Sequence, residues 1–156
     1  MDSTEIDKRY TITDDETLFR LISYPGCINE NKELSPEIFS LYHKDEDYVS
    51  LDREYFSTLE EVIKHGYKIK RWPLKKDSFW GVIKLNAKNI RSVSQRRISL
   101  DSYYEESYKA HAGISFTLDD KSKLRHTGQE IIPSWLLGIQ LMLCNIVDEV
   151  ISVPLQ

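Results

Sequence analysis

Residues 110–118, AHAGISFTL, alternate without a break. His111, Gly113, Ser115 and Thr117 take the odd positions, and Ala112, Ile114, Phe116 and Leu118 take the even ones. A period of two is the side-chain repeat of a β-strand, so this segment presents one polar and one apolar face. A sheet with an apolar face needs a cover, and the rest of the chain has to supply both the other strands and that cover. FWGVIKLN at 79–86 is the strongest strand in the middle of the chain, with TLFRLIS at 17–23 and DYVSLD at 47–52 as two more. Tyr24-Pro25-Gly26 marks a turn after the first of them.

Helix signals lie between these strands. Ser35-Pro36-Glu37 has an N-cap, a proline at the first helical position and an early acid, which predicts a short helix through about Tyr42. Ser57-Thr58-Leu59-Glu60 reads as a capping box, opening a helix with Leu59, Val62 and Ile63 on one face and Gly66 as its stop. AKNIRSV at 87–93 adds a helical turn. From Pro133-Ser134 the chain is apolar nearly all round to about Ile151, with Gln140, Asn145, Asp148 and Glu149 as interruptions. That run is too short, and too polar in its middle, for a membrane span. It predicts a helix buried on most sides, in the core or against a partner.

Strands and helices alternate without a regular βαβ rhythm. The expected fold is therefore α+β: a mixed or antiparallel sheet, short helices and an apolar C-terminal helix. At 156 residues, 40% hydrophobic and 29% charged, the chain suits one globular domain. Residues 1–15 read as a polar arm and 16–156 as the domain. The acidic, polar N-terminus is no secretory signal, and two cysteines make no disulfide scaffold, so a reducing cytoplasmic setting is expected. Cys27, after Pro25-Gly26, reads as a loop thiol, and Cys144 as part of the packing.

The net charge of −4 conceals three blocks. Residues 1–61 hold 16 acids and 6 bases, residues 62–97 hold 11 bases and Asp77, and residues 98–156 hold 8 acids and 4 bases. The middle block has two readings. Lys68, Lys70, Arg71, Trp72, Lys75, Lys76, Arg96 and Arg97 interleave charge with aromatic rings, as a surface for nucleic acid or phosphate does. Alternatively, the basic block folds against the acidic one before it, and the aromatic residues are core.

Little else carries a chemical signature. His43, His65, His111 and His126 lack metal-ligand spacing, no phosphate loop or nucleophile elbow is present, and no metal or cofactor is expected. Arg20 is the lone charge in an apolar strand, Ser50 lies between Val49 and Leu51, and His111 begins the polar face of its strand. On adjacent strands the three would line a cleft, with Arg20 gripping a phosphate or carboxylate and His111 moving a proton. Pairing of Arg20 with an N-terminal acid is the plainer alternative.

Several short motifs recur in order: Leu18-Phe19-Arg20 with Pro25, Leu34-Ser35-Pro36-Glu37-Ile38-Phe39, Tyr48-x-Ser50-x-Asp52-Arg53, Trp80-Gly81-Val82, and His111-Ala112-Gly113-Ile114. Over residues 17–118 this pattern resembles a group of small bacterial proteins from genomes rich in mobile elements, a resemblance that implies an architecture and no particular activity. The order of an Arg strand, a Ser strand and a late polar strand also resembles ADP-ribosyltransferase-type toxins. Their late catalytic acid would here have to be Glu105, Glu106 or Glu130, because the strand at 110–118 has none. Three functions are therefore expected in turn. The first is an interaction protein acting through a partner chain or a second copy on the C-terminal helix, in a bacterial defence or toxin–antitoxin setting. The second is a small nucleotide- or phosphate-binding enzyme using Arg20, Ser50 and His111. The third is a nucleic-acid binder using residues 64–97.

Overall fold

A computed structural model describes residues 6–22, 27–28, 31–41, 44–68, 80–127 and 132–153. In chain order the elements are β1 (Thr17–Ile22), a 3-10 turn (Pro36–Phe39), β2 (Val49–Arg53), α1 (Leu59–Lys68), β3 (Trp80–Asn86), α2 (Ala87–Val93), β4 (Ile98–Ser102), β5 (His111–Phe116), α3 (Leu136–Asn145) and β6 (Glu149–Val153). The strands form one open sheet in the order β4-β5-β2-β1-β3-β6. Every neighbouring pair is antiparallel. The expected α+β class holds, and the sheet is antiparallel rather than mixed.

The registers sort the side chains onto two faces, because directly opposed residues share a face and successive residues alternate. Leu18 pairs with Leu85 and with Arg53, and Leu51 pairs with Ala112. That face, with Ile22, Ile83 and Ile114, is the apolar one. It packs against Ile38 and Phe39 of the 3-10 turn, Ile90 of α2, and Leu136 and Leu143 of α3 to form the main core. On the other face Phe19 pairs with Asp52 and Asp52 pairs with His111. There α1 lays Val62 on Phe19 and Val82 in a smaller cluster.

Several elements differ in detail from the sequence expectation. The box that opens α1 is one residue later than Ser57-Glu60: Glu61 N–H donates to Thr58 Oγ1 at 3.2 Å, and the Thr58 hydroxyl donates to the Glu61 carboxylate at 3.2 Å. The TLEE string satisfies the same spacing as STLE, so the sequence offers both registers. Gly66 does not stop the helix, which continues to Lys68. The helix expected at 36–42 is a single 3-10 turn, capped by Ser35 Oγ. The helix expected to run to Ile151 ends at Asn145, and Glu149–Val153 becomes β6 along the edge of β3. Val147, Val150, Ile151 and Val153 explain this, since β-branched residues lose little on a pleated surface. The strand at Ile98–Ser102 was not among the expected ones. The turn at Tyr24-Pro25-Gly26 lies outside the described residues.

The N-terminal segment wraps a buried arginine. Arg53, 0% exposed, grips the Glu16 carboxylate through Nε at 2.8 Å and Nη2 at 3.0 Å. Its other N–H groups donate to the carbonyls of Lys8 and Thr11. Ile12 joins the main core beneath that strap. Cys27 is buried rather than an exposed loop thiol. Cys144 is partly buried, which pushes its thiol up to about 11.

Candidate functional site

The structure separates Arg20 from His111. Arg20 alternates with Phe19, so its side chain leaves β1 on the side of Leu18 and Ile22, whereas His111 stands on the side of Phe19. The β1–β2 register covers only Leu18 and Phe19, and the Arg20 guanidinium reaches across beyond it. Nε donates to the Ile38 carbonyl at 3.1 Å and Nη1 to the Ser50 carbonyl at 2.9 Å. Arg20 therefore ties β1, β2 and the 3-10 turn together through main-chain oxygens. It meets the backbone of Ser50, not a cleft shared with the Ser50 hydroxyl.

The structure brings a different set to His111. Asp52 lies directly opposite it across β2–β5 and is 7% exposed. The Tyr108 hydroxyl donates to Asp52 Oδ1, and the Tyr108 ring stacks on His111 with centroids 4.7 Å apart and planes 15° from parallel. Tyr48 Oη lies 3.3 Å from His111 Nε2. Tyr48 and Tyr103 stack on each other at 4.2 Å, and His65 of α1 meets the edge of Tyr108 at 5.6 Å. His111, Tyr48, Tyr103 and Tyr108 all remain partly exposed. The floor beneath the tyrosine pair is Gly113, where a Cβ would lie 2.5 Å from Tyr48 Cδ2 and 2.9 Å from Tyr103 Cε2. Only glycine lets those rings lie on the strand.

Burial moves the two titrating groups toward each other. It raises the Asp52 carboxyl, opposed by the Tyr108 hydrogen bond and by the charges of His65, His111 and Arg20. It lowers His111, opposed by the charges of Asp52 and Glu105. Burial also raises the Tyr108 hydroxyl, reinforced by the Asp52 charge and hydrogen bond, so Tyr108 stays a donor. Burial thus favours the neutral form of each group, with the carboxyl up and the imidazole down. The arrangement is suited to acid–base chemistry on a ligand resting against His111 and Tyr48.

The basic block enters this site nowhere among the described residues. Lys70, Arg71, Trp72, Lys75 and Lys76 lie outside them, and Lys68 is the last residue of α1. Arg96 and Arg97 pair with Asp119 at 2.9 and 2.8 Å, and Arg91 pairs with Asp14 at 2.7 Å. Arg97 also lies over the Trp135 ring, 4.1 Å from its centroid. For these three arginines the positive charge is met within the chain. Among the described residues no group of three His, Cys, Asp or Glu is placed to hold a metal ion, and no helix is long and apolar enough to cross a membrane.

The sequence singles out His111 but not its partners. Tyr48 and Asp52 stand in the string Tyr48-x-Ser50-x-Asp52, two residues to either side of Ser50. Parity alone would have put Asp52 on the face of Ser50, but only the β2–β5 register puts it opposite His111. Tyr103 and Tyr108 come from the connection SYYEESY between β4 and β5, whose density of tyrosine was the available signal. Comparison of the chain with protein-family models, with curated proteins and with solved structures returns no match.

Proposed function

We propose that the protein binds a small organic molecule against His111 and Tyr48 and moves a proton on it, with Asp52 as the partner that sets the state of the imidazole. The observation that carries this reading is the buried Asp52 carboxyl, held by Tyr108 and in direct register with His111. Buried carboxyls beside a partly exposed imidazole are expensive to keep and are concentrated at sites that use them. Tyr48 and Tyr103 supply flat apolar area for the ligand, and the hydroxyl of Tyr48 supplies a donor or acceptor beside Nε2. Arg20 is given no part in gripping an anion, because its guanidinium is directed to main-chain carbonyls.

The test is an NMR titration of the His111 ring in the wild type and in Asp52→Asn. His111 is expected to titrate below its ordinary 6.5, and lower still in the variant, because the carboxylate charge that favours the imidazolium is gone. Titration at the ordinary value, unchanged by the substitution, overturns the pairing. A thermal-shift panel of nucleotides, NAD and sugar phosphates then reads the ligand. A stabilising compound should lose its effect in His111→Gln, and a shift that survives His111→Gln places its binding elsewhere.

One observation favours a second reading, the partner-docking protein. On α3 the residues Leu137, Leu141 and Met142 are 55%, 47% and 46% exposed, at i, i+4 and i+5 on one side of the helix. A second chain would cover them, and the expected defence or toxin–antitoxin setting belongs to this reading. Light scattering of the purified chain decides it. An oligomer that dissociates in Leu137→Lys/Leu141→Lys supports docking through α3, and a monomer that co-purifies with nothing counts against it.

A further inference from the structure

β4 is an outer strand of the sheet, and part of its outward main-chain edge has no partner among the described residues. Thr117 N–H donates to the Arg97 carbonyl at 2.8 Å and Tyr103 N–H to the His111 carbonyl at 2.9 Å, which sets the phase of the β4–β5 ladder. Residues 97, 99, 101 and 103 turn toward β5, so the main-chain groups of Ile98 and Leu100 turn outward. Ser94 C=O takes the Ile98 N–H at 3.0 Å. The Ile98 carbonyl and both main-chain groups of Leu100 have no protein partner among the described residues. Yet Ile98 and Leu100 are only 7% and 6% exposed.

Beside this edge runs an open groove of about 490 Å³. Its floor is Ile98 and Leu100, its far wall is Lys88, Arg91 and Ser92 of α2, and Asp14 closes it. Positions 88, 91 and 92 are i, i+3 and i+4, so the three side chains form one stripe of the helix facing the strand. Arg91 is fixed by Asp14 at 2.7 Å and by the Ile12 carbonyl at 2.7 Å. Lys88 makes no ion pair among the described residues. The groove thus offers a free strand edge, an apolar floor and an available cation opposite the edge.

We propose that this groove binds an extended acidic peptide of a partner protein, which adds as a seventh strand along β4 and sets a carboxylate against Lys88. A strand is what the free groups of Leu100 accept, since an extended chain presents N–H and C=O at the matching repeat. The acidic character follows from Lys88. This inference is independent of the His111 site, which stands on β5 and β2.

Selection from a displayed library of random nine-residue peptides tests it. Enriched sequences are expected to be acidic. A synthetic copy of one should slow amide hydrogen exchange at Leu100, weaken about tenfold in Lys88→Glu, and fail when its alternate amides are N-methylated. Lys88 is exposed, so the variant should fold as the parent does. No enrichment, enrichment of basic peptides, or unchanged exchange at Leu100 overturns the proposal. Protection of Leu100 that rises with protein concentration alone, without peptide, overturns it in favour of a second copy pairing edge to edge.

Discussion

Two buried charged residues adjacent in sequence have opposite consequences. Asp52 faces His111 and is raised by burial, so its ionisation opposes folding. Its favourable contribution is fully present below the ordinary value of 3.8 and is lost as pH rises through the higher folded value. His111 is lowered, so it favours folding above its ordinary 6.5 and that contribution is lost as pH falls through the lower folded value. Asp52→Asn keeps an acceptor for Tyr108 and removes the first effect. Its urea midpoint should therefore rise relative to the wild type as pH goes from acid to neutral, which unfolding curves across that range will show. Arg53, one residue on, points to the other face and holds Glu16. Arg53→Met leaves the Glu16 carboxylate buried without its partner and should cost about 3–5 kcal/mol in chemical denaturation. Arg53→Met/Glu16→Leu should lose less, since no uncompensated charge remains. In the sequence Asp52 and Arg53 are simply neighbours. That the two side chains point to opposite faces follows from the strand period, but the partner of each does not.

Among the elements, β1, β2, β3 and β5 were legible, whereas the short β4 and the apolar β6 were not. β5 could be read because its two faces differ in polarity. β6 was hidden in a run apolar enough to continue α3, and only its β-branched residues mark the change. Close backbone approach holds these strands in place. A Cβ at Gly81 would lie 2.4 Å from the Ile151 carbonyl oxygen, and backbone cannot swing aside as a side chain can. Gly81→Ala is expected to loosen β6, seen as faster amide exchange from Glu149 to Val153 with β1–β2 unchanged. Gly113→Ala meets rings instead, so it should displace Tyr48 and Tyr103 and cost about 1–3 kcal/mol. Thr58→Ala removes the cap of α1 and should cost about 1 kcal/mol, while Ser57→Ala should cost much less. That pair of unfolding measurements separates the observed capping register from the one a residue earlier.

At the scale of the molecule, three arginines of the basic block, among the described residues, make specific contacts with two different acidic blocks. Arg91 of the basic block meets Asp14 of the first acidic block, but Arg96 and Arg97 meet Asp119 of the last. The exposed pairs among these are screened by solvent and should contribute little, so the unfolding midpoint should change only slightly between low and moderate salt. The arginine that matters most to the fold, Arg53, belongs to the acidic block itself. By itself the sequence determined the alternation of strand faces, the apolar C-terminal helix, the presence of α1 and α2 and hence the α+β class, because each depends on a local period or a cap within a few residues. Only the tertiary structure decided strand order, the pairing of Asp52 with His111, the side on which Arg20 emerges and the free edge of β4. Those depend on register between segments tens of residues apart, and a shift of one residue would exchange the two faces of any strand.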